Sequence, residues 1–225
     1  MSEIKDEPIL DVQETYSKVE KYIIDNQKSL SIIIGAVVAL VGGYIGYKYW
    51  YVAGQEEEAR KEMYKAEAYF EMDSLDLAIN GNGTDKGFLQ IADEYGVAPS
   101  GNLAHYYLGI SYLKKGEFEN AIEHLTEFSA DDQIIAPMAI GATGDAHMEL
   151  GKTDEAIAYY LKAAEKSKNN FTSPMFLKKA AIAYEEKGSY ADAVKIYERI
   201  KADFTDSNEG KEMDKYIARA QAAIN

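Results

Sequence analysis

Cysteine is missing from all 225 residues, which excludes a disulfide framework, a thiolate-based zinc or iron–sulfur centre and a cysteine nucleophile. Basic charge is scarce. Only 24 Lys and Arg stand against 38 Asp and Glu, a formal net charge of -14, and no basic stripe is visible that could displace counterions from a phosphate backbone. Nucleic acid is therefore not an expected partner. Histidine is nearly missing too: His105, His124 and His147 are the only three, and none has a partner at metal-ligand spacing along the chain. Packing or surface roles are expected for them, and no metal. The clusters Glu56, Glu57, Glu58 and Asp131, Asp132 read as solvated faces and loop ends. No motif pairs a nucleophile with a base, so the chain is not expected to be an enzyme, and no catalytic residue, cofactor or small-molecule substrate is assigned.

What is present begins with a gap in the charge pattern. Nineteen residues between Lys28 and Lys48 carry no charge, and nine of them are Leu, Ile or Val. At roughly -0.3 to -0.6 kcal/mol each at the centre of an inserted helix, those nine supply about -3 to -5 kcal/mol. A helix of that length rises about 28 Å, close to the hydrocarbon thickness of a bilayer. Tyr44, Tyr47, Tyr49, Trp50 and Tyr51 then fall at one interface, with Lys48 able to snorkel among them. The alternatives are a buried core helix and a signal peptide. The polar flanks and the length of the run argue against the first. Seven acids before the run and no A-x-A site after it argue against the second. An uncleaved single-span anchor is predicted. Lys18, Lys21 and Lys28 before it balance Lys48, Arg60, Lys61 and Lys65 after it, so the positive-inside rule does not orient it. Within the span, Gly35, Ala39 and Gly43 recur every four residues, with Gly42 and Gly46 alongside. Such a ridge lets a second membrane helix approach closely, although glycine is also common in membrane helices generally.

Upstream, Pro8, Asp11 and Glu14 make a capping-box-like start to a short amphipathic helix over about residues 12 to 26, with Val12, Tyr16, Val19 and Ile23 on one face. Its outer face mixes Glu14, Lys18, Glu20, Lys21 and Asp25, unlike the basic face of a lipid-binding helix, so it is either a docking element or a polar stub.

Residues 52 to 225 carry 19 basic and 31 acidic side chains in a helical pattern punctuated by glycine. The pattern repeats. Gly116, Gly151 and Gly188 lie 35 and 37 residues apart; Ala121, Ala156 and Ala193 follow each by five, and Leu125, Tyr160 and Tyr197 by four more. This resembles the tetratricopeptide repeat, a pair of antiparallel helices. Leu108, Gly109, Tyr112, Gly116, Phe118, Ala121 and Leu125 match its positions in the first copy. Gly144, His147, Gly151, Ala156, Tyr160 and Ala163 match in the second, and Ala180, Ala181, Tyr184, Gly188, Tyr190, Ala193 and Tyr197 in the third. The predicted fold is all-α, one N-terminal transmembrane helix followed by a tetratricopeptide-repeat solenoid. Its expected parts are a tail with an amphipathic helix (1–29), the anchor (30–51), degenerate repeat or linker helices (52–101), three repeats (102–208) and a capping helix (209–225).

Two flanking helices are expected, over 55–79 with Ala59, Met63, Ala66, Tyr69 and Phe70 inward, and around Phe88, Ile91, Ala92 and Tyr95. Between them, Asn80, Asn82 and Thr84 mimic an EF-hand start. Asp85 stands where that loop needs glycine, however, and Ile91 where it needs a bidentate glutamate, so calcium is not expected. Gly81, Gly83 and Gly87 follow no strand, which removes a nucleotide loop. Sequons at Asn82 and Asn170 matter only in a glycosylating compartment.

In this repeat family the first helices line a concave groove. The resemblance places there Leu103, Tyr106, Ile110 and Leu113, then Met138, Gly141, Asp145 and Met148, then Met175, Lys178, Ile182 and Glu185. The groove implied is apolar with an acidic edge, suited to an extended or amphipathic segment of a protein. Alternatively some of these side chains pack within the chain. The overall layout is similar to the membrane-anchored periplasmic ancillary subunit of the bacterial Sec translocon. That resemblance implies a single-pass inner-membrane protein, N-terminus cytoplasmic and solenoid periplasmic. Its implied partners are translocon subunits, a prolyl-isomerase-type chaperone and newly exported client proteins. A structural scaffold for another envelope or secretion complex is the alternative function.

Overall fold

A computed structural model describes residues 12–224, which fall into two compact units divided between Ala53 and Gly54. The capping-box residues Pro8 and Asp11 lie outside the described residues, as do the side chains of Val12 and Glu14. Every regular element among the described residues is helical.

In the first unit, α1 (Val12–Asp25) and α2 (Gln27–Gly46) are separated by Asn26, whose side-chain amide donates to the Tyr22 carbonyl at 2.9 Å. One π-helical stretch, Tyr47–Val52, follows α2. Tyr16, Val19 and Ile23 on α1 are exposed, and so are Ile32, Ile33, Ile34, Val37, Val38, Leu40, Val41 and Ile45 on α2. Tyr47 and Tyr51 stack with centroids 5.5 Å apart among the exposed rings of Tyr44, Tyr49 and Trp50.

The second unit opens with α3 (Ala53–Glu71), α4 (Leu75–Asn80) and α5 (Phe88–Glu94). The single helix expected over 55–79 is broken after Glu71. Asp73 takes the left-handed conformation (φ +56°), its N–H bonding Phe70 O at 3.0 Å, and that of Ser74 bonding Tyr69 O at 2.9 Å. Aspartate tolerates this region better than most residues, and the turn folds Ala78 and Ile79 back under Met63 and Ala66. Phe88 stacks on Tyr107 at 4.9 Å while Phe70 meets Tyr107 edge-on at 5.2 Å. Burial, with Glu67 nearby, pushes the Tyr107 hydroxyl up to about 12.

Three helical hairpins follow: α6 (Pro99–Lys115) with α7 (Phe118–Glu127), α8 (Ile135–Glu149) with α9 (Thr153–Ser167), and α10 (Thr172–Glu186) with α11 (Tyr190–Asp203). Gly116, Gly151 and Gly188 make the turns at φ +78°, +73° and +78°. Their N–H groups cap Leu113, Met148 and Glu185 carbonyls, and the next residues cap Tyr112, His147 and Tyr184. Left-handed helix caps of this kind favour glycine because a Cβ there crowds the following carbonyl. Each turn returns the second helix onto the first at a small residue. A Cβ on Gly109 would lie 2.3 Å from Leu125, and one on Gly144 2.8 Å from the Tyr160 ring. Ala121, Ala156 and Ala193 are fully buried at the matching positions of the second helices. The chain closes with a 3₁₀ turn, Gly210–Glu212, and α12 (Met213–Ala222), which buries Met213 and Ala220 in the core of the third hairpin.

Ion pairs link successive hairpins at about one repeat's separation. Lys187 pairs with Asp154, Arg199 with Glu165, Arg219 with Glu185, and Lys166 with Asp131. Each exposed pair contributes only about 0–1 kcal/mol. Their larger effect is on charge: they occupy basic side chains of an already acidic unit, so the surface outside them is more acidic still.

Candidate protein-binding site

The groove residues inferred from the repeat pattern occupy the first helices α6, α8 and α10 of the three hairpins. Leu103, Tyr106, Ile110, Leu113, Met138, Asp145, Met148, Met175, Lys178, Ile182 and Glu185 are all half-buried. Each therefore spends part of its surface inside the chain. Tyr106, Ile110 and Leu113 pack against the core formed by Ala121, Leu125, Ala139, Ala142 and Ala146, while Met138, Met148 and Met175 pack against the core of the third hairpin.

The structure brings Leu113, Asp145 and Met148 together around an open cleft of about 600 Å³, walled also by Phe118, Glu149 and Tyr160. Asp145 is its polar centre. It accepts a hydrogen bond from the Tyr160 hydroxyl at 2.7 Å and both oxygens accept from Lys179 Nζ at 2.7 Å. Burial and the Asp145 hydrogen bond raise the Tyr160 hydroxyl above its ordinary value, so it stays a donor at neutral pH. The cleft is thus of mixed character: Leu113, Phe118 and Met148 share its walls with Lys114, Lys115 and Glu149, and the central Asp145 is already paired with a lysine of the next repeat.

Leu103 lies apart from that cleft. It lines a second hollow of about 450 Å³ with Glu56, Arg60, Met63, Tyr64 and Glu67. Glu56 fixes its wall, accepting from the Ser100 N–H at 2.8 Å and the Ser100 hydroxyl at 2.9 Å and so tying α3 to the start of α6.

Three residues behave differently from the groove reading. Gly141 is buried beneath the ring of Phe176 rather than lining a surface, and a Cβ there would fall 1.8 Å from the ring. Lys178 and Glu185 are engaged by the capping helix: Lys178 lies 3.5 Å from Glu212 and over the Tyr216 ring at 4.8 Å, and Glu185 pairs with Arg219. Repeat alignment finds helix faces but does not show that the last repeat's face is met by a cap.

Sequence reasoning also missed two features. A further cavity of about 390 Å³ lies between α7, α8 and α9, lined by Leu125, Phe128, Ile140, Thr143, Tyr159 and Lys166 among others. The second is a contact between histidines 19 residues apart: His105 Nδ1 and His124 Nδ1 are 3.1 Å from each other. Burial, then the neighbouring His105, holds His124 below its ordinary value and therefore neutral. His147 instead stacks on Tyr159 at 5.1 Å. In the Asn82 loop the polar groups serve each other: Asn82 Oδ1 accepts from the N–H of Thr84 and Asp85, and Tyr69 donates to Asp85 at 3.0 Å.

On α2, Gly35, Gly42, Gly43 and Gly46 have nothing within 4 Å of where a Cβ would stand, and Ala39 lies on the same exposed helix. Among the described residues one helix is long and apolar enough to cross a membrane.

A helical solenoid of tetratricopeptide-like hairpins is a protein-interaction scaffold of a class that is typically non-enzymatic. Tetratricopeptide-repeat family models match residues 142–208 and 103–131. Over 104 residues the chain is 31% identical to tetratricopeptide repeat protein 29 of Macaca fascicularis, a match that covers 43% of this chain and 22% of that protein. Among solved structures it is similar to the putative kinesin light chain nearly identical TPR-like repeats of Podosopora anserina. The TM-score is 0.57 at 15% identity, over 74% of this chain and 87% of that one. A form of the same repeats with one substituted residue gives 0.57 at 16% identity, over 74% and 86%. At such identity the likeness is one of fold. The repeats indicate protein partners.

Proposed function

We propose that this chain is a membrane-anchored, non-enzymatic interaction module of the bacterial inner membrane. In this reading α2 spans the membrane, the N-terminus is cytoplasmic and the solenoid periplasmic. It associates there with the protein-export translocon and a prolyl-isomerase-type chaperone, and helps handle newly exported chains. The observation that carries the tethered reading is the bare surface of α2. Eight of its Ile, Val and Leu side chains are each about half or more exposed. Water penalises such a surface at roughly 25 cal/mol per Å² of apolar area, and a bilayer removes that penalty. The open ridge of Gly35, Ala39, Gly42, Gly43 and Gly46 suits close packing on a partner's membrane helix.

The groove follows from the same logic. A tether raises the local concentration of clients that emerge beside it, so the cleft around Leu113, Asp145 and Met148 needs only weak affinity. The repeat pattern adds Tyr106, Ile110, Met138, Met175 and Ile182 to the proposed groove.

Co-purification of the full chain in mild detergent, with partners identified by mass spectrometry, tests this reading beside a Gly42→Ile, Gly43→Ile variant. Recovery of translocon and chaperone subunits, reduced in the variant, is the expected result. Stoichiometric recovery of a different envelope complex, unchanged in the variant, contradicts it and identifies a structural scaffold instead.

A further inference from the structure

We infer that the first repeat carries a binding site for a divalent transition-metal ion of the zinc class, formed by His105 on α6 with His124 and Glu127 on α7. His105 Nδ1 lies 3.1 Å from His124 Nδ1 and 2.9 Å from Glu127 Oε2, and the last two atoms are 3.9 Å apart. A point equidistant from these three atoms lies about 2.0 Å from each, the length of a Zn–N or Zn–O bond. A swing of the exposed Glu127 carboxylate opens the nearly in-line His124–Glu127 pair toward a tetrahedral arrangement.

The proton inventory of the cluster leads to the same place. An ionised carboxylate only accepts, and neutral imidazole offers one donor and one acceptor nitrogen. The network assigns the shared proton to His105 Nδ1, leaving His124 Nδ1 and Glu127 Oε2 as two acceptors around one N–H. A cation in the proton's position satisfies all three atoms at once. Two imidazoles with one carboxylate suit zinc and its transition-metal neighbours rather than calcium or magnesium, which take oxygen ligands.

The surroundings favour the orientation and the access. The His124 ring is held in orientation by stacking on Tyr112 at 5.5 Å. Glu127 is about half exposed, which leaves an entry path and a fourth coordination position open to water. An ion there staples the two helices of the first repeat across 19 residues of chain. The contact escapes sequence reading because the hairpin, not local spacing, creates it.

The test is titration of chelator-treated full-length protein in detergent with Zn²⁺ by calorimetry, and with Co²⁺ by visible absorption. One Zn²⁺ per chain at micromolar affinity or tighter is expected, with a rise in Tm, and no comparable response to Ca²⁺ or Mg²⁺. His105→Asn, His124→Asn and Glu127→Gln should each weaken binding by roughly 100-fold, whereas His147→Asn should not. Glu127→Gln sits at the surface and keeps the test decisive if a histidine variant folds poorly. Absence of Zn²⁺ binding at micromolar concentration overturns the inference. So does Zn²⁺ uptake that Glu127→Gln and His124→Asn leave unchanged.

Discussion

Replacing Gly141 by alanine probes how the second and third hairpins interlock. The new Cβ would stand 1.8, 2.2 and 2.6 Å from three carbons of the Phe176 ring, and that ring is 1% exposed. Overpacking of this kind costs about 1–3 kcal/mol, and three contacts well inside van der Waals distance against a buried ring place it at the upper end. Against it stands a gain of about 1 kcal/mol from replacing glycine within a helix. The clash wins, for a net loss of roughly 2 kcal/mol. In a unit of this size 1 kcal/mol moves Tm by about 2–4 °C, so Gly141→Ala should lower Tm by roughly 4–8 °C in a thermal scan followed by circular dichroism. Gly35→Ala, where no atom lies within 4 Å, should show no loss. In a Phe176→Leu background the cost of Gly141→Ala should shrink, since the two residues then no longer compete for one volume. A rise in Tm on Gly141→Ala, or a cost indifferent to Phe176→Leu, refutes the interlock.

Other predictions concern caps and ties. Asp132 accepts backbone N–H groups of Ile134 at 2.8 Å, Ala136 at 3.1 Å and Ile135 at the start of α8; although partial burial works the other way, these bonds hold its carboxyl below the ordinary range. Asp132→Ala should cost about 0.5–2 kcal/mol at pH 7. Because the folded value is the lower one, that contribution is complete above the unfolded value near ~3.9. It disappears as pH falls through the folded value, so melting curves of the two proteins should converge in strong acid. Glu56→Ala removes both bonds to Ser100 and should speed amide exchange in α3 and the first turn of α6, with exchange elsewhere unchanged. Asp145→Ala leaves Lys179 half-buried without its partner and should destabilise the second and third hairpins by about 1–3 kcal/mol in urea denaturation.

The turns of the repeats are legible in the sequence because the left-handed cap at Gly116, Gly151 and Gly188 admits little else, and because a close second helix demands Ala121, Ala156 and Ala193. The end of α3 is not, since Asp73 supplies the same left-handed turn without the glycine that announces it. The site is legible only as a face. A repeat period says that Lys178 and Glu185 share a side with Asp145, but whether α12 reaches them depends on where the cap docks. Gly141 reads as lining by register and is buried because Phe176, 35 residues on, folds over it. Of the histidine cluster the chain shows only His124 and Glu127, three residues apart on α7. His105 and His124 meet because α7 runs back along α6, a distance that hairpin geometry sets and helical periodicity does not.

The central claim is that the cleft beside Asp145 receives protein segments from a membrane-tethered position. It is tested most directly by site-specific photocrosslinking in cells, with the crosslinker placed in turn at Leu113, at Met148 and at the exposed Lys162 on α9. Crosslinks to newly exported chains from Leu113 and Met148, fading when protein synthesis stops and missing from Lys162, are the predicted result. Equal crosslinking from all three positions, or none from the cleft, would contradict the account.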